Sequence, residues 1–330
     1  MDRHALVQDW LSRQLEGQTF ILTPASSDAS FRRYFRVTLR DTTFIVMDAP
    51  PDREDCRPFV YVAKLMAAAG LHVPAVFAQD LELGLLLLSD LGSTTYLSAL
   101  GEDNADELYR EATNALILWQ RASAGGMLPA YDEALLQREL DLFPEWYLRR
   151  HLGLELDAKQ QHALVSVFKL IVANNLRQPK VYVHRDYMPR NLMLTTPNPG
   201  VLDFQDAVYG PITYDVASLF KDAFISWEEK RVIDWTIRYW ERARAAGLPV
   251  ASNFGDFYRD CEWMGLQRHL KVLGIFARIY HRDGKPAYIK DTPRFIGYVR
   301  SVCERYDSLS PLLRLLDQIA ERGMLSGPTG

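Results

Sequence analysis

The residues best equipped to do chemistry stand around two short apolar stretches. The first, Val181-Tyr182-Val183, runs into His184-Arg185-Asp186-Tyr187-Met188-Pro189-Arg190-Asn191. The second, Gly200-Val201-Leu202, runs into Asp203-Phe204-Gln205, with Asp203 twelve residues after Asn191. A carboxylate (Asp203) and a side-chain amide oxygen (Asn191) suit a hard cation such as magnesium. A second carboxylate (Asp186) can orient a hydroxyl and accept its proton, a contribution of ~10²–10⁴-fold. Such a set suits phosphoryl transfer, in which negative charge spreads over phosphate oxygens that a metal bridges. The tripeptide alone is a weak signal. His281-Arg282-Asp283 repeats it, followed by Gly284 and with Tyr288 where the Asn would stand, and reads as a helix-to-loop junction without catalytic role.

The rest of the chain must position these groups. Residues 2–16 carry Leu6, Trp10 and Leu15 near helical spacing. TFILTP, FRRYFRVTL and TFIVMDA then read as strands rich in aromatic and β-branched residues. Arg40-Asp41-Thr42 turns between the last two, and a loop of small and polar residues at 25–30 joins the first two. A helix over 59–69 stops at Gly70, and short strands follow at 75–78 and 84–89. This order predicts a small five-stranded antiparallel sheet with one main helix. From residue 102 the period turns helical, with candidate helices at 102–122, 133–150, 158–176, 227–246, 254–280 and 289–306. The chain is therefore expected to be α+β, changing character near Asp90-Leu91-Gly92.

Composition narrows the partners. Apolar residues at 48% and charged residues at 24% are those of a globular chain. Lys and Arg number 38 against 42 Asp and Glu, a balance that predicts no hold on nucleic acid or an anionic membrane. Cys56, Cys261 and Cys303 are scattered, with no metal spacing and no disulfide framework, as in a reducing compartment. The opening MDRHALVQDWLSRQLEG is mixed and amphipathic. The longest apolar run, 83–88, is far short of the ~20 residues that span a bilayer. A soluble cytoplasmic protein is expected.

The His-Arg-Asp loop with its Asn, followed by an Asp-Phe pair, resembles the spacing of protein-kinase-like phosphotransferases. With Leu87-Leu88-Ser89-Asp90-Leu91-Gly92 in the same order, nearly the whole chain is similar to the aminoglycoside phosphotransferase/choline kinase superfamily. The stretches SSDASFRRYFRV, IVMDAPPDREDCRPF, RELDLFPEWYL, HRDYMPRNLM, LDFQDAVYGPITYDVASLFKDA and LQRHLKVLGIFARIYHRDGKPAYI resemble a narrower group. These are the bacterial anomeric kinases acting on N-acetylmuramate and N-acetylglucosamine at C1 in peptidoglycan recycling. The resemblance implies a protein-kinase-like bilobal fold. Residues 1–91 would form an N-lobe with the nucleotide-binding sheet, 92–324 a helical C-lobe with catalytic loop and sugar site, and 325–330 a frayed tail. It implies ATP and Mg2+ as cofactors and a small-molecule sugar as substrate. Asp186 would be the catalytic base, Asn191 and Asp203 the metal ligands, and Leu88, Ser89, Asp90 and Leu91 the crossover that binds adenine through backbone groups. His184 would be structural, and Asp215 would tie the loop to the following helix. The same fold also serves aminoglycosides, choline and homoserine. A nucleotide-binding pseudokinase is the remoter alternative.

Three departures qualify the pattern. The phosphate loop is Ser27, Asp28, Ala29 and Ser30 in place of a glycine-rich run, although small residues still let backbone N–H groups approach a phosphate. Met47 stands where a kinase-like third strand carries its Lys. Strand alternation puts Phe31, Arg33, Phe35 and Val37 on one face and Arg32, Tyr34 and Arg36 on the other, so Arg32 or Arg33 is expected to supply the missing cation. Gln205 stands where kinases have Gly and would place an amide beside the metal, for substrate hydroxyls or for packing. For the acceptor, Arg138, Glu139 and Trp146 on the 133–150 helix form one candidate patch, and Gln267, Arg268 and His269 a second. The basic residues there favour a neutral or anionic sugar over a polycation.

Overall fold

The computed structural model describes residues 2–26 and 31–321. Asp2 caps the first helix, α1 (Arg3–Gln14), by accepting the His4 amide proton at 3.2 Å. Then come β1 (Ile21–Ser26), β2 (Arg33–Thr38), β3 (Thr43–Asp48), α2 (Arg57–Ala68), β4 (Val76–Asp80), β5 (Leu85–Ser89) and the short α3 (Tyr96–Ala99). The five strands form one antiparallel sheet in the order β1-β2-β3-β5-β4. Period-two alternation divides its faces. Val37, Val46, Leu85 and Leu87 point to one side and bury against Val7, Trp10 and Leu11 of α1. Tyr34, Arg36, Ile45 and Leu88 therefore belong to the other. Gly84, at φ +69° before β5, is needed where it stands, because a Cβ there would lie 1.9 Å from the Ala49 carbonyl oxygen.

The chain continues through α4 (Ala105–Arg121), α5 (Glu133–Leu140), a π-helix (Phe143–His151), α6 (Ala158–Leu176) and β6 (Lys180–Val183). A hairpin of β7 (Leu192–Met193) and β8 (Gly200–Val201) follows, then β9 (Val208–Pro211), which pairs antiparallel with β6. The remainder is helical: α7 (Tyr214–Phe220), α8 (Glu229–Ala245), α9 (Phe254–Asp283), α10 (Thr292–Arg305) and α11 (Ser310–Glu321). The fold is α+β. The chain divides into two compact units, Met1–Glu102 with Arg190–Asp206, and Asp103–Pro189 with Ala207–Gly330. The β7–β8 hairpin thus belongs to the unit that holds the sheet.

In the second unit α9 packs against the π-helix, α10, α7 and α6, with Leu266, Leu270 and Leu273 fully buried. The helix expected over 133–150 is broken. Pro144 has no N–H to continue the ladder, and after Leu140 the backbone resumes as a π-helix at Phe143. Gly274 lets α9 approach this break, since a Cβ there would lie 2.4 Å from the Leu142 carbonyl carbon and oxygen. The second His-Arg-Asp forms the end of α9, which Gly284 closes in the left-handed conformation at φ +65°. Among the described residues no helix is long and apolar enough to cross a membrane, and Cys56, Cys261 and Cys303 are free and buried. The tail at 325–330 and the loop at 27–30 lie outside the described residues.

Candidate active site

The β7–β8 register brings two of the candidate groups together. Leu192 faces Val201 and Met193 faces Gly200, and the Leu202 amide donates to the Asn191 carbonyl at 2.9 Å. Asn191 and Asp203 consequently stand opposite each other at the open end of the hairpin, with Asn191 Nδ2 3.4 Å from Asp203 Oδ2. Asp203 holds φ +61°, a left-handed conformation costly for a residue other than glycine, as at many functional sites. Phe204, fully buried, packs on Phe59 of α2 with ring centroids 4.8 Å apart. Gln205 Nε2 donates to Asp203 Oδ1 at 2.8 Å and lies 3.4 Å from Asp206 Oδ2. Among the described residues no three His, Cys, Asp or Glu side chains gather as a metal cluster. One amide and one carboxylate fit a cation that takes its remaining oxygens from phosphate and water, as magnesium does.

Asn191 and Asp203 line a cavity of about 390 Å³ in the same unit. The sheet contributes Tyr34, Arg36, Ile45 and Leu88 to it, all from the face turned away from α1, Arg32 joins them from just before β2, and the crossover contributes Ser89, Asp90 and Leu91. Arg32 sits 3.5 Å from Glu54. Burial alone would lower its pKa, but Tyr34, Glu54, Asp203 and Asp206 around it prevail and raise it. Arg33 points the other way. Its Nε donates to Asp48 Oδ2 at 3.0 Å, and Arg3 Nε donates to the other oxygen of that buried carboxylate at 2.8 Å. Met47 is fully buried within β3. Ser27, Asp28, Ala29 and Ser30 lie outside the described residues. Arg36, a group the sequence reading did not single out, binds Asp90. Its position on the Arg32 face was readable from alternation.

In the helical unit the loop after β6 is held from below by Asp215. Its Oδ2 accepts the His184 amide at 2.7 Å and its Oδ1 the Arg185 amide at 3.0 Å. Asp215 is fully buried, and desolvation pushes its carboxyl up to about 7 against those two amides; the charge of Asp186 adds to the rise and Arg268 opposes it. Arg185 takes φ +77°. The half-buried Asp186 donates its amide to His184 Nδ1 at 3.2 Å, and Tyr187 ties the loop to α4 through Ala112 O at 2.8 Å. His184 therefore accepts within its own turn.

The acceptor candidates are dispersed. Arg138 is exposed at the end of α5. Trp146 is half-buried on the π-helix with the Arg150 guanidinium 4.2 Å over its ring. Glu139 is 5% exposed, with Arg185 Nη2 at 2.5 Å and Lys271 Nζ at 3.1 Å from Oε1. Gln267, Arg268 and His269 are all buried in α9. Lys271 and Tyr131 were missed altogether. A single Lys in a helical pattern carries no sign of burial.

The five-stranded antiparallel sheet with its packed helix and the mostly helical remainder define a protein-kinase-like α+β fold. The chain belongs to the phosphotransferase enzyme family (APH), which it matches over residues 21–250. It is 58% identical over 300 residues to an N-acetylmuramate/N-acetylglucosamine kinase of Pseudomonas aeruginosa, covering 91% of this chain and 89% of that protein. It is 50% identical over 324 residues to a protein of the same name from Neisseria meningitidis, covering 97% and 96%. Among solved structures the fold is similar to choline kinase LicA from Streptococcus pneumoniae (TM-score 0.66, 12% identity, 91% of this chain and 100% of that one). It is also similar to an ADP-bound aminoglycoside phosphotransferase (TM-score 0.56, 14% identity, 90% and 98%).

Proposed function

We propose that this protein transfers the terminal phosphoryl group of ATP to the anomeric C1 hydroxyl of N-acetylmuramate and N-acetylglucosamine, in peptidoglycan recycling. The observation that carries the reading is identity of 50–58% to kinases of that name over at least nine-tenths of the chain. Asp186 orients the C1 hydroxyl and takes its proton. The sugar oxygen forms the new bond to the γ-phosphorus as the bond to the β–γ bridging oxygen breaks, and ADP leaves. An anomeric hydroxyl is more acidic than an ordinary alcohol, so a carboxylate suffices as base. Asn191 and Asp203 hold Mg2+, which when bound neutralises charge on the phosphate oxygens. Arg32 and the crossover Leu88, Ser89, Asp90 and Leu91 bind the nucleotide. The use of ATP and three free buried thiols support a cytoplasmic setting.

The test is phosphorus NMR of the product made from each sugar with ATP and Mg2+. A sugar-1-phosphate signal is expected from both. Phosphate at another position, or no ATP consumption with either sugar, would overturn the reading. Asp186→Asn is expected to keep the fold and lose ~10²–10⁴-fold in turnover.

A further inference from the structure

We infer that Glu139 is a positioning residue for the catalytic loop: with Lys271 it clamps the Arg185 guanidinium and so fixes the backbone that presents Asp186. The inference rests on the proposed role of Asp186 and adds the device that holds it. Glu139 Oε1 accepts from Arg185 Nη2 at 2.5 Å and from Lys271 Nζ at 3.1 Å, while Oε2 accepts the Tyr131 hydroxyl. Lys271 Nζ also donates to Tyr214 OH at 3.0 Å. Glu139 is 5% exposed, Lys271 7%, and both tyrosines are fully buried.

The chemistry of this cluster points to a clamp. Three donors of the protein converge on the buried Glu139 carboxylate, two at Oε1 and one at Oε2. Burial alone would raise the Glu139 pKa, but Lys271, Arg185 and Tyr131 prevail and hold it below the ordinary carboxylate range. Lys271 feels the Asp186 charge as well as that of Glu139. Arg185 needs such a hold, because a side-chain-bearing residue at φ +77° persists only where its surroundings over-determine it. Asp215 fixes its amide and Glu139 fixes its side chain, and the next residue is Asp186. Removing the shared anion would leave two buried cations facing each other.

The test is Glu139→Gln, which keeps the shape and removes the charge. The expected result is kcat lower by ~10–10²-fold, the cost of a displaced catalytic group, with KM for ATP and sugar nearly unchanged. Amide hydrogen exchange at Arg185 and Asp186 is expected to quicken by about 10-fold or more. Because Glu139 acts through Arg185, adding Glu139→Gln to Arg185→Met should not lower kcat further. Wild-type kcat, additive losses, or a raised sugar KM at unchanged kcat would each overturn the inference. Should Glu139→Gln fail to fold, Tyr131→Phe removes only the donor to Oε2. It should lower kcat by about 3-fold and quicken the same amides, and no change in either would overturn the clamp. The exchange measurement needs no acceptor. Failure of the sugar assignment would show as an inactive wild type, and failure of the clamp as unchanged exchange.

Discussion

Arg36 grips Asp90 at two points, with Nε 2.6 Å from Oδ2 and Nη2 3.1 Å from Oδ1, and the same Nη2 donates to the Gly92 carbonyl at 2.9 Å. A strand residue of β2 thereby fixes the crossover segment where β5 ends, on the cavity face of the sheet. The pair is mostly shielded, with the two side chains 28% and 5% exposed. Burial alone would raise the Asp90 pKa, but the bonds from Arg36 and the Gly92 amide lower it.

Arg36→Met should therefore loosen the crossover. Stability is expected to fall by about 1–3 kcal/mol at neutral pH, the cost of a buried charge left without its partner. KM for ATP is expected to rise more than kcat falls. The sign of the pH dependence follows from the lowered Asp90 pKa. The stabilisation is fully present above the unfolded carboxylate value of about 4 and is lost as pH falls through the folded value. Denaturant unfolding of both proteins across the acid range checks this, and a stability gap that widens below about pH 4 would contradict it.

Arg32 and Arg33 should separate cleanly. Arg32 lines the cavity beside Asp203, whereas Arg33 binds Asp48 on the opposite face. Arg32→Ala is expected to raise KM for ATP by about 10-fold, the value of a charge-assisted bond to phosphate. Arg33→Ala should leave that constant unchanged. Its stability loss should stay under about 1 kcal/mol, because Arg3 still holds Asp48. Equal effects of the two substitutions on KM would show that the faces have been misassigned.

Gln205 offers a third test. Its amide donates to Asp203 Oδ1, where it would orient the proposed metal ligand. Gln205→Leu is expected to raise the magnesium concentration for half-maximal rate by about 10-fold, with kcat recovered at saturating metal. A changed sugar KM with unchanged metal dependence would instead place Gln205 at the acceptor.

Legibility of the chain followed the range of the signals. The sheet was readable because alternation in FRRYFRVTL and TFIVMDA is local, and the same alternation separated Arg32 from Arg33. Asn191 and Asp203 were readable as candidates from the motif spacing, whereas the two-residue strand Leu192–Met193 that sets them opposite each other is too short to carry a periodic signal. β9 and α7 went unread because strand β9 is four residues long and its partner β6 lies about twenty-five residues earlier, a separation at which no periodicity operates. α11 was missed although its apolar Leu312, Leu315, Leu316 and Ile319 have helical spacing. The burial of Glu139, Arg268 and Lys271 was not legible, because a charge becomes buried only when partners distant in sequence converge on it.

Asp215 makes the last prediction, and its sign is the reverse of the Asp90 case. Desolvation pushes its carboxyl up to about 7 in the folded protein, above the ordinary value near 4. Between those values the native state holds a proton that the unfolded chain has released. Rising pH then favours the unfolded chain, by at most about 1.4 kcal/mol per pH unit from this group, and the loss levels off above about 7. Asp215→Asn keeps one acceptor for the His184 and Arg185 amides and has nothing to titrate. Its stability is expected to be lower than wild type near pH 4, with a gap that narrows toward pH 7, as measured by urea unfolding in matched buffers. A gap that widens over this range would mean that Asp215 is ionised throughout, held so by the two amides and Arg268.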